Sequence, residues 1–350
     1  MDALTTWLHV CLADPLATAH AADAPIGIVG LDFPLDIAAS EQRVFCHLPW
    51  RSGRSTPQAD AWLEPAFPGW ARSILQDWAE GRFAAFESVV FSRGDDAAQR
   101  LYYYICELQR RGLLDGPRAL ILDVAAIPRA GSVQHSARAL RTLLTELDLG
   151  IDCLASGIAR ANRQRAVFAR LESARYAPGH LYENIARAAL YHDPLPVLED
   201  VQLRPSTAEF SLYLAGSAPP DDTLHRTAEA RGWNIVGEMH ARSLLRHGTA
   251  LQAGADPVLE LATRLNANAY GSRAFVDRAA MLRAELARTG ADAAVFWLTR
   301  EDEARPWDLA SQREACALAG KPCLALTQAD WEFRDGAVDQ LARFLEGIPT

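Results

Sequence analysis

Short apolar runs rich in β-branched residues alternate along the chain with longer stretches whose apolar positions recur every three to four residues. That is the pattern of strands each leading into a helix. Runs at 26–31, 43–48, 88–91 and 118–124 predict strands, with helices between them at about 34–40, 67–80 and 96–111. Asp95 or Asp96 stands where a carboxylate caps the first turn of the last of these helices. From 132 to 175 the pattern is helical, broken near Gly150, and another helix is expected at about 180–191. This is too much helix for one crossover, so it reads as helices that wrap the first sheet and lead into a connector. Pro194, Pro196 and Pro205 crowd the segment 193–206, which predicts a linker there. The alternation then restarts, with strands at 209–215, 234–236, 293–297 and 323–326 and helices near 221–231, 257–265, 272–289, 308–319 and 336–345.

Strand-helix alternation of this kind builds parallel sheets covered by helices. The expected architecture is α/β, two doubly wound parallel-sheet domains with additional helices. The N-terminal domain with its helical extension spans 1–192, the linker 193–206 and the C-terminal domain 207–350. No period of 20 to 50 residues repeats, which excludes solenoids and propellers.

Composition narrows the function classes. A chain of 350 residues with 49% hydrophobic and 23% charged residues is an ordinary globular protein of about two domains. Its net charge of −9 offers no basic footprint for nucleic acid and is repelled by an anionic membrane surface, so neither partner is expected. The first basic residue is Arg43 and no apolar run approaches a membrane span, which predicts a cytoplasmic protein without a signal peptide. Lys321 is the only lysine among 35 basic residues, a bias like that of high-GC bacterial coding sequences and one that disfavours Schiff-base chemistry. Cysteines at 11, 46, 106, 153, 316 and 323 contain no Cys-x-x-Cys, so neither a disulfide framework nor a structural zinc site is signalled.

Generic catalytic motifs are missing: Gly27-Ile28-Val29-Gly30 is no dinucleotide fingerprint, and Walker, HExxH and GxSxG patterns do not occur. Trp62, Trp70 and Trp78, eight apart, read as a core-facing aromatic row. In open parallel sheets, ligands bind beyond the carboxyl ends of strands, where loops and helix N-termini converge. Three segments qualify: Ser92-Arg93-Gly94-Asp95-Asp96, Gly216-Ser217-Ala218-Pro219, and the stretch 298–303 with Glu301, Asp302 and Glu303. Their loops are expected to gather at one crevice. Each also has a structural reading, as helix caps, a strand-ending turn and a solvated acidic face.

The order of segments resembles a known family. Phe33-Pro34-Leu35-Asp36-Ile37-Ala38-Ala39-Ser40 is similar to the early Pro-Glu-Glu-Leu-Ile-x-Ala-Ala-Gly segment of the 2-hydroxyacyl-CoA dehydratase and benzoyl-CoA reductase D-component family. Asp95-Asp96-Ala97-Ala98-Gln99-Arg100-Leu101-Tyr102 resembles its Cys-Asp-x-x-x-Arg-x-Tyr helix start. The stretch 154–165, with Asn162 and Arg165, resembles a helix ending in Asn-x-x-Arg, and Leu212-Tyr213-Leu214-Ala215-Gly216-Ser217 followed by Asp221 and Asp222 resembles a Gly-Ser strand-turn. The likeness covers about 25–344.

The resemblance implies two flavodoxin-like domains, an iron-sulfur cluster held between them by three thiolates, and a related partner subunit. A separate ATP-hydrolysing activator feeds the cluster an electron for reduction of a CoA thioester, which leads to dehydration in one branch and ring reduction in the other. Here the first ligand position carries Asp95, the second falls near Arg273 and Ala274, and the third near Glu301 or Asp302, so no thiolate is offered at any of them. The expectation is a lyase-like subunit with no cofactor of its own, pairing with a cluster-bearing paralogue or a second copy, with acyl-CoA as its candidate ligand. Arg93 and Arg273 are the candidates for its phosphates; Asp95, Asp96, Gly216, Ser217 and Asp302 complete the crevice. Two alternatives stand beside it: an enzyme whose crevice serves carboxylate acid-base or hard-metal chemistry, and a non-catalytic ligand-binding or assembly protein.

Overall fold

The eight apolar runs form eight parallel strands in two separate four-stranded sheets. The computed structural model describes residues 3–348 apart from 126, 173–176, 202, 253 and 269–274. β1 (Ile26–Val29), β2 (Phe45–His47), β3 (Ser88–Ser92) and β4 (Arg118–Leu122) lie in the order β2-β1-β3-β4. β5 (Phe210–Gly216), β6 (Trp233–Met239), β7 (Ala293–Thr299) and β8 (Cys323–Ala329) lie in the order β6-β5-β7-β8. Both sheets thus follow one flavodoxin-like winding, as expected, with the switch point between the first and third strands of each. β3 and β7 are buried along their whole length, which is why their sequences read as unbroken apolar runs.

The chain divides into two compact units, but not at a single point. Residues 1–166, 188–199 and 246–275 form the first, and 167–187, 200–245 and 276–350 the second. The sequence reading divides the chain once, at 193–206. The apolar face of the helix Pro257–Ala267 accounts for part of the difference, since its Val258, Leu261 and Ala262 belong to the first unit's core. There they join Ile28, Val90 and Leu120 from the sheet and Leu140 and Leu144 from the helix Ser132–Glu146. At roughly 2 kcal/mol per fully buried large apolar side chain, that face holds the segment in place. Of the expected aromatic row, Trp70 and Trp78 are buried in the first unit, whereas Trp62, at the end of the helix Pro57–Trp62, is only half-buried.

Local capping sets several boundaries. Asp256 and Asp277 each accept an N–H from the residue three positions on, Leu259 and Ala280, and so open the helices Pro257–Ala267 and Arg278–Thr289. β6 runs to Met239, three residues past the strand end expected at 236, and so carries Glu238 inside the sheet. Among the described residues no helix is long and apolar enough to cross a membrane.

Candidate functional site

At the carboxyl end of β3 in the first unit the chain turns through Arg93 and Gly94 into the helix Asp96–Arg110. Asp95 is that helix's N-cap, its carboxylate accepting the Ala98 N–H at 2.8 Å, and Asp96 occupies the first turn. Arg93 donates to Asp123, whose carboxylate also lies 3.5 Å from His135 Nε2. These groups border a cavity of about 280 Å³ that is also lined by Ala125, Arg129 and Ser132. Ser132 fixes one wall by donating to Ile127 O at 2.7 Å and accepting the Arg129 N–H at 3.0 Å. The cavity therefore brings Arg93, Arg129 and His135 to the first turn of the 15-residue helix Ser132–Glu146, with the Asp123 carboxylate set against Arg93 and His135.

A second cluster lies deeper in the same unit. Arg165 grips Asp36 with both nitrogens of its fork, at 3.0 and 2.7 Å, and also donates to Asn162 Oδ1 at 2.9 Å. Arg264 is a further partner of the same carboxylate. Asn162 in turn donates to Leu251 O at 2.6 Å and accepts the Leu251 N–H at 3.1 Å. The close approach of two backbones makes this geometry possible, because a Cβ on Gly157 would stand 2.4 Å from Asp36 O. Sequence reasoning named Asn162 and Arg165, and Asp36 only as part of the segment 33–40, but gave no sign of Arg264 or of the 246–251 segment. Nearby, His47 and His247 are held neutral: burial, then the Arg246 charge, pushes both well below the ordinary imidazole range.

In the second unit Gly216 ends β5 at φ +118, and a Cβ there would lie 2.3 Å from Trp297 O, so both conformation and space demand glycine. Gly216→Ala is expected to cost roughly 1–3 kcal/mol, measurable as a lower urea midpoint. An unshifted midpoint would show that this turn tolerates a side chain. Ser217 is positioned by that turn, donating to Asp302 Oδ2 at 2.8 Å and accepting the Thr299 N–H at 3.1 Å. Burial alone raises the Asp302 carboxyl. The Arg305 guanidinium, the Arg305 N–H and the Ser217 hydroxyl outweigh it and hold Asp302 below the usual carboxylate range. Asp302 is therefore not a solvated acidic face.

The structure brings Ser217 and Asp302 together, and it places Arg93, Asp95 and Asp96 on one loop and helix start of the first unit. Arg273 lies outside the described residues. The cysteines occupy the helices Ala3–Ala13, Asp96–Arg110, Ile151–Leu171 and Leu309–Leu318 and the strands β2 and β8, and none is on a loop after β3, β5 or β7. Burial pushes the Cys46 thiol up to about 12, so it is not a thiolate at neutral pH.

Sequence reasoning missed a buried polar group in the second unit formed by Glu183, Glu238 and His240. The signal was the alternation Glu238-x-His240-x-Arg242, whose first member lies on β6 and whose other two follow its end. Neither a protein-family model nor a curated protein matches the chain.

Proposed function

We propose that this chain is a cluster-free subunit of the 2-hydroxyacyl-CoA dehydratase and benzoyl-CoA reductase type, one that binds an acyl-CoA and works beside a cluster-bearing relative. The observation that carries this reading is the contact between two segments that carry the resemblance. Asp36 and Arg165, 129 positions apart, meet as a buried two-point ion pair. The twin parallel sheets are consistent with the two flavodoxin-like domains of that family.

The residues do not fit an iron-sulfur cluster. Such clusters are held by soft sulfur ligands, whereas the two matched ligand positions within the described residues offer the oxygens of Asp95 and of Glu301 or Asp302. Asp95 is engaged as a helix cap and Asp302 with Ser217 and Arg305, which also weakens the reading in which these carboxylates act as acid, base or hard-metal ligands. No redox step is assigned to this chain. Its own residues bind and orient: Arg93, Arg129 and His135 take phosphate oxygens at the helix start, and the neighbouring Asp123 keeps Arg93 in place.

Calorimetric titration with CoA and CoA thioesters tests the reading. The parent chain should bind, and Arg93→Ala should weaken binding about tenfold, the loss of one charge-assisted phosphate contact. Equal affinity in both would remove Arg93 from the site. Failure to bind any CoA species would overturn the acyl-CoA reading, and a stoichiometric four-iron cluster on the reconstituted chain alone would overturn its cluster-free part.

A further inference from the structure

Glu183 on the helix Gly179–Ala188, Glu238 on β6 and His240 just beyond it each present one ligand atom, all within 4.8 Å of one another. Glu183 and His240 are fully buried and Glu238 is 2% exposed. Each carboxylate has one oxygen held from outside the trio. Arg242 Nη2 donates to Glu183 Oε1 and to Pro219 O, and His225 Nε2 meets Glu238 Oε1 at 2.5 Å. Of the remaining atoms, Glu183 Oε2 makes no hydrogen bond to the described residues. Glu238 Oε2 and His240 Nε2 face each other at 2.9 Å as an ion pair. Unsatisfied oxygen in a dry interior is costly, and here Glu183 Oε2 converges on the Glu238–His240 pair.

We propose that Glu183, Glu238 and His240 bind one divalent transition-metal cation, Zn²⁺ or Mn²⁺. Two carboxylate oxygens and one imidazole nitrogen suit these ions, whereas Ca²⁺ and Mg²⁺ prefer six or more oxygens. Arg242 and His225 then serve as the outer partners that aim the ligating carboxylates. The Arg242 N–H donates to His240 Nδ1 at 3.1 Å, so the free ring carries its proton on Nε2. Ligation through Nε2 moves that proton to Nδ1 and gives up the Arg242 bond, and acid competes with the cation for the ring.

The site is independent of the acyl-CoA reading. To test it, the full chain is stripped with chelator, refolded with Zn²⁺ or Mn²⁺ and dialysed, bound metal is counted by elemental analysis, and thermal unfolding is followed. One cation per chain and a midpoint that rises with free metal are expected. Glu183→Gln and His240→Ala should each weaken binding at least about tenfold, while the exposed Arg226→Ala should not. Substoichiometric metal with both ions, or a site that survives both ligand substitutions, would overturn the proposal. Should the ligand variants fail to fold by circular dichroism, the stoichiometry of the parent chain decides.

Discussion

Asp36→Ala is expected to destabilise the first unit by about 3–5 kcal/mol, because it leaves two buried guanidinium groups without their anion. Arg165 holds both Asp36 oxygens at 3.0 and 2.7 Å, and Arg264 shares one of them. With the carboxylate gone, the arginines retain only neutral partners among the described residues: Asn162 and His247 O for Arg165, His247 O and Thr249 O for Arg264. The cost is that of stranding charge in a low-dielectric interior, more than that of losing one hydrogen bond. Asp36→Asn should fall between the two, since it keeps the shape and one acceptor and removes the charge. Urea unfolding at neutral pH measures the difference, and an Asp36→Ala chain within about 1 kcal/mol of the parent would show that the arginines find other compensation. Replacing Asp36, Arg165 and Arg264 together by apolar residues should recover part of the loss, because no buried charge then remains.

Strand positions were largely legible because buried parallel strands have a composition of their own, and six of the eight runs match to within about two residues at each end, β6 and β8 each running three residues further than expected. β6 was truncated in the reading at Val236 because Glu238 breaks the apolar run, although its side chain is buried at the end of the same strand. Period and hydrophobicity identify a strand by what it buries. A buried carboxylate held by His225 looks in sequence like the start of a loop. The division into units was legible only in part for a related reason. The helix Pro257–Ala267 has the amphipathic pattern of any helix, and nothing in that pattern says that its Leu261 packs beside Leu140 and not among the residues nearest to it in sequence.

The candidate sites divide along the same line. A cap at Asp95 or Asp96 was readable because capping is local, three residues from carboxylate to N–H, and the structure assigns it to Asp95. Ser217 and Asp302 were named separately, but their bond joins positions 85 apart and depends on β5 and β7 being neighbours. Arg264 was unreadable: it is one arginine among many in this composition, and only the fold selects it as the second partner of Asp36. The trio of Glu183, Glu238 and His240 likewise needs the helix Gly179–Ala188 to be set against β6, a pairing no local pattern encodes.

Glu172 should make the second unit lose stability as pH rises from 5 to 8. The side chain is buried, and its cationic partner among the described residues, Arg288, stands 3.7 Å away and is turned toward Glu285 at 2.6 Å. Burial pushes the Glu172 carboxyl up to about 8; Arg288 opposes this weakly, and the charges of Glu238 and Glu285 add to it. The folded chain therefore keeps a proton that the unfolded chain releases near 4.5, so between those values the folded state binds one proton more. Stability from this group is complete below about pH 4.5, falls by roughly 1.4 kcal/mol per pH unit above it, and is gone by about pH 8. Other buried groups titrate in the same range, so the informative quantity is a difference. Glu172→Gln keeps the neutral shape and cannot ionise; its stability relative to the parent, measured by urea unfolding in chelator-containing buffer, should improve by roughly 4 kcal/mol between pH 5 and 8. Parallel pH profiles for the two chains would mean that Glu172 is already ionised in the folded state, its charge met by Arg288 after all.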